Sequence, residues 1–133
     1  MRKIEHIGIA VADIATANET YTKLFNAPPY KMEVVESEGV STSFFIIGDS
    51  KIELLQATNE DSAIAKYISK RGEGIHHIAY DVVDIHAERE RLIGEGFQAI
   101  GEVKQGADNK WVCFFHPKSA NGVLVELCQE RSE

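Results

Sequence analysis

The chain has 133 residues, 44% hydrophobic and 26% charged, with a formal net charge of −7 at pH 7. That length fits one domain or two small modules sharing a core, and the acidic balance argues against nucleic acid as a partner. No apolar run approaches the roughly 20 residues that cross a bilayer, and the N-terminus enters a strand pattern without a signal-peptide core. A cytoplasmic protein with no membrane partner is the expectation.

Residues 4–12 alternate as a strand, with Ile7, Ile9 and Val11 on one face. His6, Gly8, Ala10 and Ala12 lie on the other, a histidine followed by very small residues. Asp13 stands where a helix N-cap belongs, and Ile14, Ala17, Tyr21, Leu24 and Phe25 follow at helical spacing until Pro28-Pro29. Residues 30–36, 40–47 and 51–55 read as strands, separated by turns at Glu38-Gly39 and Gly48-Asp49-Ser50. Residues 56–74 form a linker containing a short helix, capped near Asn59–Ser62 and ended by Gly72.

The plan then repeats. A strand at 75–82 leads to Asp84 as helix cap, with Ile85, Arg89, Leu92 and Ile93 on the helix, closed near Gly94 and Gly96. Strands at about 97–103, 111–115 and 122–128 follow, leaving Gln129–Glu133 as a tail. The chain is therefore α+β: a first βαβββ module at 1–55, the linker at 56–74 and a second βαβββ module at 75–129.

The repetition extends to single residues. Ile4/Ile75, His6/His77, Ile7/Ile78, Val11/Val82, Asp13/Asp84 and Ile14/Ile85 are identical pairs, each 71 residues apart. Such self-similarity marks two copies of one supersecondary unit. Glu126, amid Val125 and Leu127, likewise matches Glu53, amid Ile52 and Leu54. A carboxylate in an apolar strand costs several kcal/mol to bury unless partnered (about that order). A lone strand histidine is usually a satisfied polar residue, and a lone strand glutamate usually faces water. Duplication of both changes the balance toward a four-ligand site of His6, Glu53, His77 and Glu126. Two imidazoles and two carboxylates suit a transition metal, Co²⁺ or Zn²⁺ first and Ni²⁺ or Mn²⁺ next, better than magnesium or calcium.

Other polar residues carry less. His76 falls on the opposite face from His77, and His86 lies in a helix's first turn. His116 begins His116-Pro117-Lys118-Ser119, either a plain turn or a loop reaching the cavity mouth. Trp111 reads as core. Cys113 and Cys128 lie in apolar strand contexts without CxxC spacing and read as buried free thiols.

On the paired HxxxxVxD motifs and the two strand glutamates, the chain resembles the vicinal oxygen chelate superfamily. Within it, the chain looks most like the methylmalonyl-CoA epimerases. The stretches that carry this are His6–Val11, Lys51–Leu55, Glu60–Lys66, Gly72–Ala79, His116–Ser119 and Gly122–Leu127. The resemblance implies two βαβββ modules pairing into a cupped mixed sheet around one divalent metal. It implies epimerisation at C2 of an acyl-CoA, with Glu126 and Glu53 as the carboxylates available for proton transfer. Some members carry a further catalytic glutamate where Thr42 stands here, and Thr42 cannot serve as a base. By the same resemblance Lys118 and Ser119 would contact the CoA portion, and a homodimer is expected.

Three rivals remain open. Metal-dependent glyoxalases (lactoylglutathione lyases) use the same His/Glu/His/Glu set. An extradiol dioxygenase would use His6, His77 and Glu126 on Fe(II), which Glu53 as a fourth ligand argues against. A metal-free binding module would need a cleft and no ligand set.

Overall fold

Strand β1 (Lys3–Ala10) opens the chain, and its two halves belong to different compact units. Residues 1–132 are described in this computed structural model. The first unit is Ile7–His76; the second is Met1–His6 together with the chain from His77 onward. Compactness and sequence repetition thus divide the chain at different places, because β1 is shared.

In the first unit β1 is followed by α1 (Ile14–Phe25), β2 (Lys31–Val35), β3 (Val40–Ile47), β4 (Ser50–Ala57) and α2 (Ala63–Arg71), in strand order β2-β3-β4-β1. The β2/β3 and β3/β4 pairs are antiparallel, and Phe44 stands opposite Glu53. Ile14, Ala17, Tyr21 and Phe25 of α1 pack on buried Val11, Phe45 and Leu54, as their spacing requires. Leu24 does not join them and is 67% exposed.

The boundaries of α1 differ from their sequence reading for local reasons. Asp13 occupies the N-cap but makes no side-chain cap bond; its carboxylate accepts the Thr16 hydroxyl at 2.6 Å. The Ile14 N–H, at the first helical position, donates to Gln56 Oε1 at 2.7 Å. The helix ends on Asn26, left-handed at φ 55°, before the prolines are reached. The linker helix is capped by Ser62, whose Oγ accepts the Ala65 N–H, and closes on Gly72.

In the second unit β5 (Gly74–Asp81) leads to α3 (Ile85–Gly94), β6 (Ala99–Gly106), β7 (Lys110–Phe115) and β8 (Leu124–Glu130). The order is β1-β5-β8-β7-β6, with β5/β8 parallel and β6/β7 and β7/β8 antiparallel, so the sheet is mixed. Asp84 caps α3 by accepting the Ala87 N–H. Val82, Ile85, Leu92, Cys113, Phe115 and Leu127 form the core beneath α3, with half-buried Trp111 packed against it. Strand β6 starts two residues later than its pattern suggests, since the Phe97 N–H still bonds the Leu92 carbonyl at the helix exit. Strand β8 starts at Leu124 because Asn121 and Gly122 hold left-handed turn conformations. It runs on to Glu130, opposite Lys110, so Gln129 and Glu130 are strand and not tail. Among the described residues no helix is long and apolar enough to cross a membrane. Cys113 and Cys128 are buried thiols, neither of them in a disulfide among the described residues.

Candidate metal centre

The second unit brings His6, His77 and Glu126 together. His6 ends the part of β1 that belongs to this unit, beside β5, and His77 and Glu126 come from the parallel neighbours β5 and β8. All three are buried, at 4 to 5% exposure. His6 Nε2 lies 3.0 Å from His77 Nε2, and Glu126 Oε1 lies 3.3 Å from the first and 3.0 Å from the second. Burial works against charge on Glu126. The charge of His6 and the hydrogen bonds from both imidazoles outweigh it, and hold its carboxyl well below the usual carboxylate range.

Two imidazole Nε2 atoms 3.0 Å apart can bond each other only if one carries a proton. The same spacing has another use. Ligand atoms about 2.1 Å from a metal ion, at right angles to one another, stand about 3.0 Å apart. Three buried nitrogen and oxygen donors at 3.0 to 3.3 Å therefore fit a first-row divalent ion, by chemistry as well as by distance.

Glu53 is also buried, at 6% exposure, on β4 of the first unit. Within its own unit it stands opposite Phe44, as Glu126 stands opposite Phe114 in the other. Thr42 is buried, and its hydroxyl donates to the Glu33 carbonyl at 2.7 Å. Lys118 is exposed on the 3₁₀ turn Pro117–Ala120, and Ser119 Oγ accepts the Gln98 N–H at 2.8 Å. His116 serves that turn, its Nδ1 accepting the Lys118 N–H. His76 is half-buried edge-on to Tyr67, and His86 is exposed.

Three neighbours of the centre escape sequence reasoning. Glu5, only 3% exposed, places Oε1 2.6 Å from His6 Nδ1. Lys110, 8% exposed, places Nζ 3.8 Å from the other oxygen of Glu5. The Cys128 thiol donates to Glu126 Oε2 at 3.2 Å, on the far side from the oxygen that faces the histidines. For Glu5 a signal existed: it is a third carboxylate in an apolar strand, next to a candidate ligand.

Residues 5–114 match the model of the glyoxalase/bleomycin resistance protein/dioxygenase superfamily. The chain belongs to that superfamily. Within the superfamily it is 41% identical over 130 residues to the ethylmalonyl-CoA/methylmalonyl-CoA epimerase of Cereibacter sphaeroides, covering 96% of this chain and 97% of that one. A crystal structure of a hypothetical protein from Bacillus halodurans C-125 is 44% identical, with TM-score 0.94 over 98% of this chain and 96% of that one. A methylmalonyl-CoA epimerase in complex with methylmalonyl-CoA and NH4+ is 34% identical, with TM-score 0.96 over 99% and 96%.

Proposed function

We propose that this chain is a metal-dependent epimerase that interconverts the 2R and 2S forms of methylmalonyl-CoA or a close acyl-CoA. The observation that carries the reading is full-length similarity, at 34 to 41% identity, to epimerases of these substrates. The buried donors His6, His77 and Glu126 support the metal dependence, and Glu53 is proposed as the fourth ligand from its place in the repeat. Co²⁺ or Zn²⁺ is the proposed ion, with Ni²⁺ or Mn²⁺ next. Bound there, it would supply Lewis-acid polarisation of the thioester carbonyl, which makes the C2 proton more acidic.

The residues supply the rest. One carboxylate accepts the C2 proton and an acid on the opposite face of the carbon returns one, which inverts the centre. Glu126 and Glu53 are the proposed pair. Thr42 is outside it, because an alcohol engaged with the Glu33 carbonyl neither takes nor returns a proton at neutral pH. The Cys128 thiol holds one oxygen of Glu126, which leaves the other directed at the imidazoles. Lys118, exposed at the 3₁₀ turn, is proposed to meet the phosphates of CoA, with Ser119 beside it. The buried thiols suit a reducing cytoplasm, and a homodimer is the proposed assembly.

The test is proton exchange. With Co²⁺ or Zn²⁺ present, methylmalonyl-CoA in D₂O should lose its C2 proton signal while 2R and 2S forms interconvert, and EDTA should stop both. Turnover of the methylglyoxal–glutathione hemithioacetal without such exchange would move the chain to the glyoxalases.

A further inference from the structure

Behind His6 lies a pair of buried charges that the proposed chemistry does not use. Glu5 Oε1 meets His6 Nδ1 at 2.6 Å, and Lys110 Nζ stands 3.8 Å from Glu5 Oε2. Neither charge is on the surface: Glu5 is 3% and Lys110 8% exposed. Burying a carboxylate and an ammonium needs each to be compensated, and a hydrophobic pair of the same volume is usually no less stable. Their position relative to His6 gives them a task.

We infer that Glu5 is a positioning residue which, held by Lys110, fixes His6 with its proton on Nδ1 and its Nε2 lone pair turned to the metal. A carboxylate accepts only, so a 2.6 Å contact to Nδ1 requires that nitrogen to carry hydrogen. In the neutral ring, the form that takes a metal ion, Nε2 is then left as an acceptor. That is the nitrogen 3.0 Å from His77 and 3.3 Å from Glu126. The short bond also fixes the ring plane, and the accepted hydrogen bond raises the basicity of Nε2. Lys110 faces the second oxygen of Glu5 and so holds the carboxylate from the side away from His6. Through the repeat, the residue that matches Glu5 beside His77 is His76.

This inference rests on the metal-site reading, and the experiment separates the two. Co²⁺ is titrated into the metal-free wild type and into Glu5→Gln, Lys110→Met and His6→Ala variants, followed by the visible absorption of bound cobalt. Long-range ¹H–¹⁵N spectra of the metal-free wild type report which nitrogen of His6 is protonated. The expected result is Nδ1 protonation in the wild type and roughly 10- to 100-fold weaker Co²⁺ binding in Glu5→Gln. Lys110→Met should lose affinity in the same sense, and less. A neutral His6 protonated at Nε2 and not at Nδ1 in the wild type, or Co²⁺ affinities within twofold of wild type in both charge variants, would overturn the inference and leave the metal site standing. Unchanged affinity in His6→Ala would remove the metal-site reading and this inference with it. The wild-type spectra decide the tautomer even if a variant does not fold.

Discussion

Ser43 is fully buried in β3, between Met32 of β2 and Leu54 of β4, and its Oγ has no hydrogen-bond partner among the described residues. An unsatisfied buried hydroxyl costs about 1–3 kcal/mol, whereas the methyl of alanine there costs no desolvation. Ser43→Ala should therefore raise the thermal midpoint by about 4–11 °C, read by calorimetry. A lower midpoint would mean that the oxygen has a partner in solution. Cys113 makes the corresponding statement in pH. Burial pushes its thiol up from 9.0 to about 11, the nearby Arg89 opposing and Glu126 reinforcing the shift. The folded chain then holds this proton more tightly than the unfolded one, so stability is full below pH 9 and falls between about 9 and 11. Urea unfolding across that range should show the decline, and Cys113→Ala should flatten it. At pH 8 the native protein should resist iodoacetamide at both cysteines and react at both once unfolded.

At the level of elements, the turn from β2 to β3 depends on Gly39. Its φ of +65° is left-handed, and a Cβ added there would come within 2.8 Å of Asn59 Nδ2 and 2.9 Å of Ser62 Cβ. Ser62 is the N-cap of α2, so the added methyl strains the turn and disturbs the cap together. Gly39→Ala should cost about 1–3 kcal/mol in chemical denaturation, with an unchanged m-value. An equal midpoint would show that the turn relaxes freely. The same elements show what a sequence discloses. Ser62 and Asp84 were legible as caps because their partners lie three residues on, within one turn of chain. Asp13 was legible in position and not in bonding, because its carboxylate takes the Thr16 hydroxyl and makes no side-chain cap bond. His6 and His77 stood out through the repeat, which also singled out Glu53 and Glu126. Glu5 did not. Strand alternation assigns it to the face opposite His6, and its repeat partner is a histidine, so only the folded geometry discloses their 2.6 Å contact. Lys110 was hidden in the same way, a cation at the start of an apolar strand whose carboxylate partner is more than a hundred residues earlier.

For the molecule as a whole, the duplication makes a prediction that neither copy makes alone. Each unit buries one strand glutamate opposite a phenylalanine, Glu53 against Phe44 and Glu126 against Phe114. If both copies serve one ion, each carboxylate is needed to hold it, although only Glu126 shares a compact unit with the histidines. A ligand that binds only the native state stabilises it by RT ln(1 + [L]/Kd), about 2.7 kcal/mol at a hundred times Kd. For a chain of this length that is a rise on the order of 10 °C in thermal midpoint. Zn²⁺ or Co²⁺ should produce such a rise in the wild type, and EDTA should reverse it. Glu126→Ala and Glu53→Ala should each abolish it at the same metal concentration, whatever their metal-free midpoints, because the quantity read is the shift and not the starting value. A full shift retained by Glu53→Ala, with none in Glu126→Ala, would reduce the centre to His6, His77 and Glu126. The second glutamate would then lie outside the metal's ligand set, and its burial would need a different explanation from the repeat that drew attention to it.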